Sequence, residues 1–269
     1  MLDEITRDEY LRRIDDYMPT AWLGHAPFLK FLIRELKPMI FVELGVQHGF
    51  SYFVGCQSIQ ECQLTSRAFA IDHWLGDSQS GFNDERVYQS VVKLNQKYSR
   101  FSNLLKMSFD DARDQFKDNS IDLLHIDGFH SYESVKHDFD SWLPKMSNNS
   151  IILLHDIYVL RDTFGVHLYW EELRSLYPTI EFVDSNGLGV VFLGEIPKGK
   201  LAELVQISKS IEFSKVQATF SSISSDVIQT LPINKVIAER DQAIVELNLV
   251  LNSRIWKLFK FYRHIRKRF

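Results

Sequence analysis

Four residues at the ends of two apolar runs carry most of the chemistry in this chain. Asp127 and His130 follow Ile121-Asp-Leu-Leu-His-Ile126, and His155 and Asp156 follow Ile151-Ile-Leu-Leu154. Two carboxylates and two imidazoles can hold a divalent ion or move a proton. An imidazole, with an ordinary pKa of about 6.5, suits general-base work near neutrality. Carboxylate oxygens with one imidazole suit Mg2+, Mn2+ or another first-row ion. The blander alternatives are a helix cap for Asp127 and a satisfied core histidine for His155. His125, inside its run, reads as core.

These groups act together only if the fold brings them to one place. Apolar runs of roughly four to eight residues read as strands buried on both faces. Strands are expected at Met39–Glu43, Ala68–Asp72, Ser102–Met107, Ile121–Ile126 and Ile151–Leu154. Helices are expected at Phe50–Gln60, 84–98, Asp110–Phe116, Tyr132–Trp142 and Gly165–Leu176. Five strand–helix alternations predict an α/β, doubly wound, mostly parallel sheet of Rossmann-like type. Asn186-Gly187 between two apolar runs predicts a closing hairpin that adds two edge strands. Open parallel sheets bind ligands beyond the carboxyl ends of their strands, where the four residues fall. The expected organisation is a helical segment over 1–37, a core over 38–197, a connector over 198–232 and a helical tail over 233–269.

Glu43-Leu-Gly45-Val-Gln-His-Gly49-Phe-Ser51 lies between the first strand and its helix. Glycines there allow close backbone approach, and the helix start offers free N–H groups. The G-x-x-x-G spacing differs from the G-x-G-x-x-G of dinucleotide binders, so a ligand with an amino-acid end and a nucleoside suits it better. Asp72, ending the second strand, can accept from ribose hydroxyls. Ser108 and Asp110 can meet an adenine amino group. The expected cofactor contacts are therefore Glu43, Gly45, Gly49, Ser51, Asp72, Ser108 and Asp110.

On Val42–Ser51, Ala70–Asp77, Ser120–Glu133, Asp138–Lys145, Ile152–Asp156, Phe164–Val166 and Gly187–Val190, the chain resembles the class I S-adenosylmethionine-dependent methyltransferases. It looks closest to a bacterial branch associated with polysaccharide biosynthesis and related to metal-assisted sugar O-methyltransferases. The resemblance implies a fold of the kind just described and S-adenosylmethionine as cofactor. It implies Asp127 and Asp156 as ligands of a divalent ion such as Mg2+ or Mn2+, with His155 beside them, and His130 as base. His155 stands where such enzymes often carry a further carboxylate. The expected activity is methyl transfer to a hydroxyl of a saccharide or glycan precursor. The alternative is a non-catalytic scaffold in a glycan-assembly complex. An NAD-dependent or nucleotide-sugar oxidoreductase is disfavoured by the missing third glycine and by the lack of a Tyr-x-x-x-Lys string in the core.

Composition sets outer limits. The 269 residues are 45% hydrophobic and 25% charged, which suits one globular core with an appendage. No apolar run nears the roughly 18 residues of a membrane span. The acidic start lacks the apolar region of a secretory signal. Two cysteines exclude a disulfide framework or thiolate zinc site. The net charge of −4 conceals seven Lys/Arg and no acid in residues 254–269, which leaves −11 on residues 1–253. So acidic a body argues against nucleic acid as a partner. Ile237, Ile244, Leu251 and Leu258 recur every seventh residue, an expectation of homo-oligomerisation through 233–258, although Arg240 and Arg254 occupy the other seam. The basic end sets Ile255, Leu258, Phe259, Phe261, Tyr262, Ile265 and Phe269 against Lys257, Lys260, Arg263, Lys267 and Arg268. That pattern fits a helix lying on an anionic membrane surface, the alternative being packing on the body or a partner subunit. A cytoplasmic protein, peripheral at the inner face of the membrane, is the expected location.

Overall fold

Alternate residues of the buried strands feed two separate cores. Phe41, Leu123, Ile151 and Leu153 pack on one side of the sheet, while Val42, Leu124, Ile152 and Leu154 pack on the other. This is the period-two consequence of a pleat covered on both faces. The structure, a computed structural model, describes residues 2–230 apart from Pro19, Ser80 and Pro197. The expectations for the boundary at Pro197 and for the tail over 233–269 lie outside the described residues.

The strands are β1 Ile40–Leu44, β2 Arg67–Asp72, β3 Gly76–Asp77, β4 Gly81–Phe82, β5 Ser102–Lys106, β6 Ile121–Ile126, β7 Met146–His155, β8 Thr179–Phe182 and β9 Leu188–Phe192. The helices are α1 Leu2–Thr6, α2 Glu9–Arg12, α3 Ala26–Leu36, α4 Phe50–Glu61, α5 Glu85–Asn95, α6 Phe109–Arg113, α7 Tyr132–Trp142, α8 Val166–Leu176, α9 Lys200–Ser208 and α10 Phe213–Thr230. Seven strands form one sheet in the order β5-β2-β1-β6-β7-β9-β8, and β3 pairs with β4 in a separate two-residue ribbon. Strands β5, β2, β1, β6 and β7 are parallel, and β9 is antiparallel to both β7 and β8. The doubly wound, mostly parallel sheet expected from the alternation is therefore present. The hairpin differs in one respect. Only β8 is an edge, because β9 inserts between β7 and β8.

Helices α3, α4, α5, α9 and α10 cover one face, and α6, α7 and α8 the other. Residues 198–230, read from sequence as a connector, supply α9 and α10. Their Leu201, Leu204, Val205, Val216, Phe220 and Ile223 are buried in the same core as the sheet. Strand β7 is longer than its apolar run because Met146 pairs with Ile121 and a register shift follows. Its Ser147-Asn-Asn149 stretch carries no strand pattern for a sequence reading to detect. Among the described residues no helix is long and apolar enough to cross a membrane.

The chain winds outward in opposite directions from β1 and β6, so the crevice beyond their carboxyl ends is the topological switch point. There Gly45 N–H donates to the Ile71 carbonyl at 3.0 Å and Asp127 N–H to the Leu44 carbonyl at 2.8 Å. The glycine bend and the Asp127 turn are thereby held against each other.

Candidate functional site

A cavity of about 610 Å3 opens at this switch point. Gly45, Gly49, Ser51, Asp72, Ser108, Asp110, Asp127, His130, His155 and Asp156 all line it. Glu43 does not. It is fully buried behind the bend, where Ser51 Oγ donates to it at 2.8 Å and His125 Nδ1 lies 2.9 Å away. Burial pushes its carboxyl up from the usual range, against the opposing pull of His125. The indole N–H of Trp22 can only donate, and it reaches His125 Nε2 at 3.1 Å. The Nδ1 side of the His125 ring thus faces Glu43. A buried chain from Trp22 through His125 and Glu43 to Ser51 links two walls of the cavity.

Asp72 clamps the bend. Its Oδ2 accepts from the Val46 and Gln47 amides, both at 2.9 Å, and its Oδ1 accepts from the Trp74 amide at 2.6 Å. Trp74 itself is core, with its indole N–H on the Gln47 carbonyl. Ser108 caps α6 by accepting from the Asp111 amide, and its hydroxyl donates to the Asp111 carboxylate. Asp110 pairs with His137 at 3.0 Å.

At the opposite end the reactive groups converge. His130 Nε2 lies 2.9 Å from Asp156 Oδ2 and 3.4 Å from Asp127 Oδ1. Among the described residues, Asp127, His130 and Asp156 bring donor atoms within 4.8 Å of one another. Asp127 is free for this because Ser131, not Asp127, caps α7. His155 sits one layer back. Its Nε2 donates to the Ser185 carbonyl at 3.0 Å, and its Nδ1 faces Asp127 at 3.3 Å and Asp156 at 3.5 Å. The geometry makes His130 the third member of the cluster and His155 its support. Asp156 has φ +62°, a left-handed conformation rare for a non-glycine residue, and its buried Oδ1 has no hydrogen-bond partner among the described residues.

Charge follows from this packing. Burial alone would depress both imidazoles, but Asp127 and Asp156 outweigh it. His130 is raised to about 10, and His155 is also raised. The same imidazoles hold Asp127 well below the usual carboxylate range, against the opposing effect of burial. His25 goes the other way, down to about 3, because it is buried and faces the like charge of His155.

Sequence reasoning missed several residues that shape the site. Trp22 and His25 come from the turn Ala21–His25; Trp22 lines the cavity and His25 approaches the Ser185 carbonyl at 3.2 Å. Their spacing on one helical face was the available signal. Gln79, between β3 and β4, had none. Its Oε1 accepts from the His130 backbone N–H at 2.9 Å and lies 3.1 Å from His130 Nδ1, and its Nε2 donates to the Thr163 carbonyl at 2.7 Å. Phe164 stacks on the His130 ring, with centroids 4.6 Å apart and 9° between planes.

Residues 42–157 match the family model described as "Methyltransferase domain". The sheet order and switch-point cavity agree with that match. The core has the Rossmann-like methyltransferase fold. Among solved structures, the fold is similar to that of the O-methyltransferase TomG from Streptomyces achromogenes in complex with SAM. The two share 13% identity over 72% of this chain and 89% of that one, with a TM-score of 0.50. Cofactor-bound Rv0187 from MTB is similar too, at 12% identity over 72% of this chain and 88% of that one, also with a TM-score of 0.50. By sequence the chain is 46% identical over 181 residues to "Uncharacterized protein y4gI" of Sinorhizobium fredii. The match takes in 67% of this chain and 20% of that protein, so the chain spans about a fifth of that relative's length.

Proposed function

We propose that the protein transfers the methyl group of S-adenosylmethionine to a hydroxyl oxygen of a saccharide or glycan precursor, with help from a divalent cation. One observation carries the reading. A single cavity has a glycine bend and helix start at one end and the Asp127–His130–Asp156 cluster at the other. The bend with its Asp72 clamp suits the amino-acid and ribose parts of the cofactor. Displacement at the methyl carbon needs the acceptor oxygen in line with the breaking carbon–sulfur bond, so positioning supplies much of the rate.

The residues fit a hard divalent ion such as Mg2+ or Mn2+. The Asp127 and Asp156 carboxylates converge, and Asp156 Oδ1, without a hydrogen-bond partner among the described residues, is a buried acceptor that a cation would satisfy. Such an ion, when bound, lowers the pKa of a nearby hydroxyl. His130 is the proton-moving residue. With Nδ1–H donated to Gln79, Nε2 is the atom that gains or loses the proton. In the present arrangement both nitrogens face acceptors, and the two carboxylates favour the protonated ring. It serves as a base once another cation, the sulfonium or a divalent ion, matches the two carboxylates.

Titration calorimetry with S-adenosylmethionine and S-adenosylhomocysteine tests the cofactor, and transfer of labelled methyl to extracted oligosaccharide tests the reaction. Absence of binding by both nucleosides would reject the reading. Turnover that survives exhaustive chelation would reject the cation. Replacing Gln79 by Leu removes the Nδ1 acceptor without touching the cofactor wall. Turnover is expected to fall about 10- to 100-fold, as when a hydrogen-bond partner behind a reactive imidazole is lost, with unchanged affinity for S-adenosylhomocysteine. Full activity would show that Gln79 does not orient His130.

The basic end over 254–269 and the heptad pattern over 233–258 support two further parts of the proposal. They are contact with an anionic membrane surface at the inner face and self-association.

A further inference from the structure

We propose that the acceptor is an uncharged glycan, methylated after glycosyl transfer has removed its nucleotide, and that Asn83 and Asn186 hold its hydroxyls. The inference rests on the saccharide reading above and goes beyond it by excluding sugars that still carry a nucleoside diphosphate. The charge of the cavity carries it. Among the described residues, six of those lining the cavity are aspartates and none is Lys or Arg. Asp127 and Asp156 stand at the reacting end, and Asp77 joins the wall from the β3–β4 ribbon, the segment whose Gln79 accepts from the His130 amide. Phosphate oxygens are ordinarily met by Arg, Lys or the free N–H groups of a helix start. The N–H groups at the start of α4 serve the amino-acid end of the cofactor in that reading. Cations of the neighbouring loops are engaged: Arg86 pairs with Asp84 at 2.6 Å, and Arg161 lies over the Phe164 ring at 5.4 Å. A divalent ion would offset the Asp127–Asp156 pair without leaving an excess of positive charge for a diphosphate. Like charges set against each other exclude the wrong partner.

The neutral groups of the cavity suit a sugar. Asn83 lines it from the ribbon and Asn186 from the β8–β9 turn. Asn186 follows Ser185, whose carbonyl receives His155 Nε2 at 3.0 Å, so this turn stands beside the reacting cluster. Neither side-chain amide has a hydrogen-bond partner among the described residues. Each offers an acceptor oxygen and N–H donors, functions that a hydroxyl satisfies without any charge. Phe129, between Asp127 and His130, is 38% exposed and also lines the cavity. Its ring gives the C–H face of a sugar an apolar surface to pack on. Glycosyl transfer is the class of reaction that supplies such an acceptor. There the glycosidic bond forms at the anomeric carbon while the nucleoside diphosphate leaves with the bonding electron pair. In the methyl transfer that follows, the acceptor oxygen bonds the methyl carbon, sulfur keeps the electron pair of the broken bond, and the hydroxyl proton passes to His130 Nε2.

The experiment follows labelled methyl from S-adenosylmethionine with the full chain. A cell extract is split by anion exchange into uncharged oligosaccharide and salt-eluted material, which holds the nucleotide-linked sugars. The two are offered at equal sugar concentration. Label is expected in the uncharged fraction at about tenfold or more above the other, the scale on which opposed charges exclude a partner. Label chiefly in the salt-eluted material would overturn the proposal alone. Label in neither, with S-adenosylhomocysteine still bound, would remove the saccharide reading with it. Asn83→Ala and Asn186→Gly then test the amides, glycine keeping the φ of +70° at position 186. Each is expected to raise KM for the labelled oligosaccharide about three- to tenfold, the scale of one neutral hydrogen bond, with kcat within about twofold. Affinity for S-adenosylhomocysteine should stay as in wild type, which also shows that the variants fold. Unchanged KM in both variants would overturn the assignment of the two residues, as would a fall in kcat with KM unchanged.

Discussion

Asp127→Asn is expected to lower methyl transfer by about 10³-fold or more, the scale of removing a preorganised charge from a reacting centre. The side chain is nearly isosteric, so the fold should survive. What changes is the charge that holds two imidazoles. Asp127 Oδ1 lies 3.4 Å from His130 Nε2 and 3.3 Å from His155 Nδ1. A neutral amide offers one acceptor oxygen and a competing donor nitrogen. His130 would lose part of its orientation and a bound cation one of its anionic ligands. The measurement is single-turnover transfer beside calorimetric binding of S-adenosylhomocysteine. Affinity is expected to stay within a few-fold of wild type, since the glycine bend is untouched. A variant keeping wild-type turnover would mean that the carboxylate has no part in the chemistry.

The largest effect on stability is expected at Gly45. Its φ is +83°, and a Cβ there would lie 2.1 Å from the Asp127 carbonyl oxygen, 2.6 Å from that carbonyl carbon and 2.9 Å from Gly128 Cα. All three atoms are backbone, so no side chain can turn aside. Gly45→Ala must push the ends of β1 and β6 apart, where the Asp127 amide bonds the Leu44 carbonyl. A loss on the order of 4 kcal/mol, at the diagnostic end of single substitutions, is expected in denaturant unfolding, together with loss of nucleoside binding. Gly199→Ala is the control. Gly199 also has positive φ, at +79°, but nothing lies within 4 Å of its added Cβ. Only the backbone penalty of its glycine-favouring conformation, φ +79° and ψ −142°, applies there, roughly 1–3 kcal/mol. Equal effects at the two positions would remove the close approach of bend and Asp127 turn as the cause.

Much of this architecture was legible because it is written locally. The apolar run Ile121–Ile126 matches β6 end to end, and Tyr132–Trp142 matches α7, since strand and helix periodicities are properties of neighbouring residues. That Asp72, Asp127, His155 and Asp156 gather at one rim follows from each standing at the carboxyl end of a parallel strand. Which groups they meet there is not local. Glu43 was expected at the cofactor, yet its position along β1 turns it toward the opposite core face. There the facing register of β6 sets His125 beside it. Gln79 reaches His130 from 51 residues away, and Trp22 reaches His125 from 103. The sequence by itself determined the order of elements, the glycine bend and the chemical types at the strand ends, because steric and hydrophobic preferences act over a few residues. Only the tertiary structure decided which of those side chains face the cavity and which support it from behind, because that depends on sheet register and on contacts between segments far apart in the chain.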